Sequence, residues 1–203
     1  MARKSHRVDM QSRQRIAQEA ARLINEHGIK DFQMAKKKAA NSLGITDKST
    51  IPSNTEVEEA LSEHQRLFHA DSQPQRLKEL RETAVKAMQL LESFEPVLVG
   101  SVQRGTASEY SDVNLHVFTD QPESVGHFID RHTIPYEQGE KRFRFNKDTY
   151  EYFPSYSFIA GDVPIEIIVF PIVGQRQAPL SPVDGKPMQR DNLAKINSVL
   201  ALS

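Results

Sequence analysis

Four polar side chains in this chain have types and spacing suited to ligand or metal chemistry: Asp112, Asn114, His116 and Glu166. The first three alternate with Val113, Leu115 and Val117. A strand turns successive side chains to opposite faces, so the apolar trio buries one face while a carboxylate, an amide and an imidazole line the other. Asp and Asn supply oxygen donors that suit Mg²⁺ or Mn²⁺, and His adds a nitrogen that suits Mn²⁺ or Zn²⁺. Glu166 is the one charged residue in the run Val-Pro-Ile-Glu-Ile-Ile-Val-Phe, from 163 to 170. A carboxylate there is costly to bury alone. It calls for a metal, or for a cross-strand cation such as Arg142 or Arg144.

Two strands must place these groups. Val97, Leu98 and Val99 form a short apolar run that stops at Gly100-Ser101, as a core strand does on meeting a turn. A polar crossover follows, and the second strand opens at Asp112. The bland readings are a turn aspartate at Asp112, a satisfied surface histidine at His116 and a structural ion pair at Glu166.

The stretch from Val97 to Phe118 resembles the active-site strands of the nucleotidyltransferase superfamily, which includes DNA polymerase beta, the kanamycin nucleotidyltransferases and the minimal nucleotidyltransferases. The family pattern is Gly-Ser, a short spacer, then Asp-x-Asp on an alternating strand. Here ten residues separate Ser101 from Asp112-Val113-Asn114, with Arg104-Gly105 and Ser111 also in keeping. The resemblance spans roughly residues 75 to 175. It implies a nucleoside triphosphate partner, a divalent cofactor (Mg²⁺ or Mn²⁺) and catalytic roles for Asp112, Asn114 and Glu166. Asp112 would bridge two metals, position 114 would bind one or both, and Glu166 would hold the catalytic one. Gly100 would let the backbone approach the phosphates, and Ser101 would donate to them. Arg104, or Arg142 and Arg144, would steady them by charge-assisted hydrogen bonds. The departure is Asn114, which removes one of three negative charges and leaves His116, on the same face, as a substitute metal ligand. Three readings stay open: a transferase with altered metal preference, a degenerate member that still binds nucleotide or a partner, and a generic mixed sheet. No acceptor is named by the residues.

The 203 residues are 38% apolar and 26% charged, the composition of a globular chain with a sizeable core. Without cysteine there is no disulfide framework or thiolate zinc site. No apolar run approaches a membrane span, and the basic N-terminus lacks the apolar stretch of a signal peptide, so a cytoplasmic protein without a membrane partner is expected.

Residues 1 to 50 carry 11 Lys+Arg against 5 Asp+Glu, and the remainder 15 against 22. A basic N-terminal arm suits phosphate backbones, with Lys36, Lys37 and Lys38 as candidate nucleic-acid contacts; a solvated helical face is the plain alternative. Ser12 is placed to cap a helix with Ile16, Ala20, Leu23 and Ile24 on one face, ended by Gly28. Asp31 caps a second, ending at Gly44. The span from Ile16 to Ile45 resembles a tetracycline-repressor-type DNA-binding head, yet Pro52 falls where the recognition helix would run. Thr55 and Glu58 are spaced as a capping box for a third helix. Leu77, Leu80, Ala84, Met88 and Leu91 mark a fourth, running to Phe94.

Downstream, Glu123 to His132 reads as a crossover helix, Lys141 to Phe145 and Tyr150 to Phe158 as strands, 163 to 170 as the last strand, and 191 to 200 as a final helix. The prolines after 170 mark irregular chain. The expected fold is α+β. A mixed sheet with flanking helices (73–203) follows a small all-α N-terminal subdomain (1–72).

Overall fold

A computed structural model describes residues 2–146 and 148–202. The chain divides into two compact units. The first is Met1–Pro74 with two short segments, Ser108–Tyr110 and Pro182–Asp184; the second holds the rest. The division falls within the first turn of a helix, α4, Ser72–Leu90.

The first unit is helical: α1 Ala2–His27, α2 Phe32–Ser42 and α3 Asn54–Phe68. Its core is built mainly of alanines, with Ile16, Ala17, Ala20, Ala35, Ala39, Ala40 and Val57 buried together. Small side chains let helix backbones approach closely, so this core gains from contact density rather than from large apolar groups. Asp31 caps α2 by accepting from the Met34 N–H at 2.6 Å. Two N-terminal signals fall elsewhere than expected. The helix α1 is already formed at Ala2, so Ser12 lies in its interior and is not its cap. The capping box of α3 is Ser53 with Glu56, not Thr55 with Glu58. Both pairs satisfy the spacing. Glu56 also takes a bidentate pair from Arg13, at 2.7 Å to each oxygen. That pair holds the Glu56 carboxyl at about 2, with the Ser53 hydrogen bonds adding to the effect.

The second unit is a five-stranded mixed sheet in the order β1-β2-β5-β4-β3. The strands are β1 Val97–Val99, β2 Val113–Phe118, β3 Glu137–Arg144, β4 Tyr150–Ala160 and β5 Val163–Phe170. β1 runs antiparallel to β2, β2 parallel to β5, and β3, β4 and β5 form an antiparallel meander. Between β1 and β2 lies a helical turn, α5 Gly100–Arg104, and between β2 and β3 the crossover helix α6 Glu123–Arg131. The last helix, α7 Leu193–Leu200, is capped by Asn192, whose side chain accepts from the Lys195 N–H at 2.9 Å.

One face of the sheet carries the main core. Val113, Leu115, Val117, Ile165, Ile167 and Val169 pack with Leu80, Ala84 and Met88 of α4, Val125 and Ile129 of α6, and Ile196 of α7. Each fully buried aliphatic side chain contributes about 1.5–3 kcal/mol relative to exposure. The opposite face divides along its length. Toward the C-terminal ends of β2 and β5 it is aromatic, with Phe118, Phe153, Ile168 and Phe170 buried and Phe143 and Phe145 packed on them. Toward their N-terminal ends it is polar, and there the candidate residues lie.

Candidate functional site

The register sets the site. Asn114 of β2 is the direct neighbour of Glu166 on β5, and Ser157 of β4 is the neighbour of Glu166 on its other side. On the far side of Asn114 stands Val99, the last residue of β1, so Gly100 emerges immediately beside it. Gly100 has φ +80°, a left-handed conformation that glycine adopts without strain. A Cβ there would lie 3.4 Å from Asn114 Nδ2. The α5 turn then closes with Gly105, φ +83°, whose N–H donates to the Ser101 carbonyl.

The hydrogen bonds orient these groups. Asn114 Nδ2 donates to the Asp112 carbonyl at 3.3 Å, leaving Oδ1 as the acceptor of that side chain. Ser101 Oγ donates to Ser111 Oγ at 3.4 Å, tying the start of α5 to the residue before Asp112. Arg104 lies three residues beyond Ser101 on the same helical turn, which puts the two on one side of it. Asp112, Asn114, Ser101 and Arg104 are all partly exposed.

Glu166 has a partner outside the candidate residues. Lys141 Nζ lies 2.9 Å from Glu166 Oε1. Arg142 and Arg144, offered as its cross-strand cations and as phosphate clamps, alternate to the other face: they pair with Tyr152 and Tyr150, whereas Lys141 pairs with Phe153. The Arg142 guanidinium stacks 4.7 Å over the Tyr150 ring. The signal that would have found Lys141 is the same alternation, since it shares a face with Phe143 and not with the arginines.

His116 does share a face with Asn114, but it is not presented to a ligand. It is 1% exposed, with its ring 4.5 Å from Phe170 and 5.6 Å from Phe143. Burial, with a smaller push from the Arg190 guanidinium, lowers its pKa to about 3. As a metal ligand it is corrected: the aromatic cluster encloses the imidazole. Arg190 is a second residue the sequence did not single out. It lies over the Phe118 and Phe170 rings, at 5.1 and 5.5 Å, and donates to the Gly174 carbonyl at 2.6 Å.

Among the described residues no group of three His, Cys, Asp or Glu gathers as a metal cage. Asp112, Asn114 and Glu166 carry oxygen donors, the kind that suits a hard cation and not a nitrogen-rich site.

The basic run on α2 is split. Lys36 is 5% exposed, and its Nζ donates to the Pro52 carbonyl at 3.0 Å, so it serves the fold and not a nucleic-acid surface. Lys37 and Lys38 are exposed. Among the described residues no helix is long and apolar enough to cross a membrane. Compared with protein-family models and with curated proteins, the chain gives no match.

Proposed function

We propose that this chain is a nucleotidyltransferase-like protein that binds a nucleoside triphosphate at the Gly100–Ser101 turn, against the polar end of β2 and β5. The observation that carries the reading is the adjacency of Gly100, Asn114 and Glu166: a left-handed glycine facing the Asn114 amide, with a carboxylate in register on the next parallel strand. Gly100 leaves room for phosphate oxygens close to the backbone, Ser101 offers a hydroxyl, and Arg104 a guanidinium. Asp112 and Asn114 are the proposed oxygen donors for a Mg²⁺ or Mn²⁺ ion carried in on the phosphates, beside the Glu166–Lys141 pair. When bound, such an ion neutralises phosphate charge and activates an attacking oxygen.

A specific observation favours binding over transfer as the main activity. The second carboxylate of the resembled motif is an amide, and Glu166 is already paired with an ammonium. On this second reading the protein is a degenerate, regulatory member of the superfamily, with any nucleic-acid contact made through its basic N-terminal helices, where Lys37 and Lys38 are exposed.

The test is calorimetric titration of ATP, GTP, CTP and UTP in Mg²⁺ and in Mn²⁺, on wild type and Asp112→Ala. Binding of one nucleotide that weakens in the variant supports the site; no binding to any of the four in either metal overturns it. Metal-dependent transfer to an acceptor, lost in Asp112→Ala, would separate the transferase from the binding module.

A further inference from the structure

Glu166 lies on the central strand of the sheet, yet its ion-pair partner comes from neither adjacent strand. Lys141 belongs to β3, the sheet edge, two strands away. Lys141 is level with Phe153 of β4 and Glu166 with Ser157, so the lysine side chain runs diagonally over β4. Between those two levels β4 turns the short side chain of Ser155 to the same face, with Gly139 of β3 as its neighbour. The Lys141 side chain stays half exposed, so the pair gains little stability as an exposed ion pair. Its placement is better explained by what it does to the site's charge.

We propose that the Lys141 ammonium is a built-in cation for the triphosphate site. It takes the place at Glu166 that the resembled family gives to a metal ion, and it binds phosphate oxygens with the N–H donors that Glu166 leaves over. This rests on the nucleotide-binding reading and sharpens the role of Glu166 within it. An ammonium carries three donors, and one on Glu166 Oε1 leaves two. Lysine on its flexible stem is an established type of phosphate ligand, acting as a point charge. The charge balance follows the same direction. A full motif would set three carboxylates against an anionic triphosphate. Here position 114 is an amide and Lys141 offsets the charge of Glu166, which leaves less negative charge facing an ion that arrives with the nucleotide. The amide at 114 and the lysine at 141 thus act in the same direction, toward a cation supplied by the chain itself.

The experiment titrates the same four nucleoside triphosphates into wild type, Lys141→Met and Lys141→Arg, in Mg²⁺ and in EDTA. Wild type is expected to keep measurable binding in EDTA. Lys141→Met is expected to lose about tenfold or more in affinity, the effect of deleting one charge-assisted phosphate contact, and Lys141→Arg is expected to recover most of it. Thermal melting of the variants controls for folding, which a half-exposed side chain should leave intact. Binding that is strictly Mg²⁺-dependent and equal in wild type and Lys141→Met overturns the lysine role and leaves the nucleotide site standing. No binding by wild type in any condition overturns both.

Discussion

Gly100 faces Asn114: a Cβ on Gly100 would stand 3.4 Å from Asn114 Nδ2, and Gly100 itself has φ +80°. The strand-to-helix corner therefore leaves little room for a side chain between Gly100 and the Asn114 amide. Gly100→Ala is expected to destabilise the chain by about 1–2 kcal/mol through the left-handed backbone alone. It should also weaken nucleotide binding, since the new methyl occupies the approach to Asn114. Urea midpoints check the first effect and titration the second; unchanged nucleotide affinity would show that the phosphates do not pass over this corner.

Asn114→Asp places a carboxylate at 114 and removes the hydrogen bond that the amide donates to the Asp112 carbonyl. It also sets a second negative charge directly beside Glu166. Without metal the variant is expected to be less stable by about 1 kcal/mol, from the lost hydrogen bond and the like-charge pair. Adding Mg²⁺ should raise its melting temperature more than it raises that of wild type, because the ion binds the folded state only. If Mg²⁺ shifts neither protein, the oxygen donors do not converge on a cation.

Much of this arrangement is legible in the sequence because it is periodic. The alternation through Val113, Leu115 and Val117 assigns Asn114 and His116 to one face, and the apolar run around Glu166 marks a strand buried on both sides. What periodicity cannot supply is reach. Lys141 meets Glu166 across an intervening strand, and Arg190 meets Phe118 and Phe170 from a proline-broken segment with no pattern of its own. Edge position hides elements as well. β3 begins at Glu137, four residues before the alternation from Lys141 becomes visible, because a solvated edge strand needs no apolar face. His116 shows the remaining gap: alternation gives its face, and only the aromatic side chains gathered from β3, β4 and β5 reveal that this end of the face is closed.

The same distinction divides the lysine run. Lys36→Met keeps the apolar stem and removes the donation to the Pro52 carbonyl, so it is expected to change stability. It should leave any nucleic-acid affinity and its salt dependence unchanged. Replacing both Lys37 and Lys38 by Ala is expected to do the reverse. Stability should hold, and the slope of log affinity against log salt should fall by about 2 if both lysines contact phosphates. Fluorescence anisotropy with single-stranded and duplex DNA reads both quantities; equal slopes for wild type and the double variant would remove α2 from the nucleic-acid question.

The buried imidazole makes the sheet unit sensitive to mild acid. His116 titrates near 6.5 when unfolded and at about 3 when folded, chiefly because burial disfavours its charged form. Between those values the unfolded chain binds a proton that the native state does not, so stability falls as pH drops through that window, by at most about 1.4 kcal/mol per pH unit for one proton. Above about 6.5 the contribution is constant. Arg190 adds to the effect, since an imidazolium would lie near its guanidinium. In the helical unit Glu56 also weakens folding on acidification, but in a lower window, from 4.5 to about 2. His116→Phe keeps a ring against Phe170 and cannot titrate. Its stability is expected to fall less steeply than that of wild type between about pH 6.5 and about pH 4, as read by urea midpoints at each pH. Parallel curves for the two proteins across that range would mean that His116 is protonated at no cost in the folded state, and that the aromatic end of the face admits water.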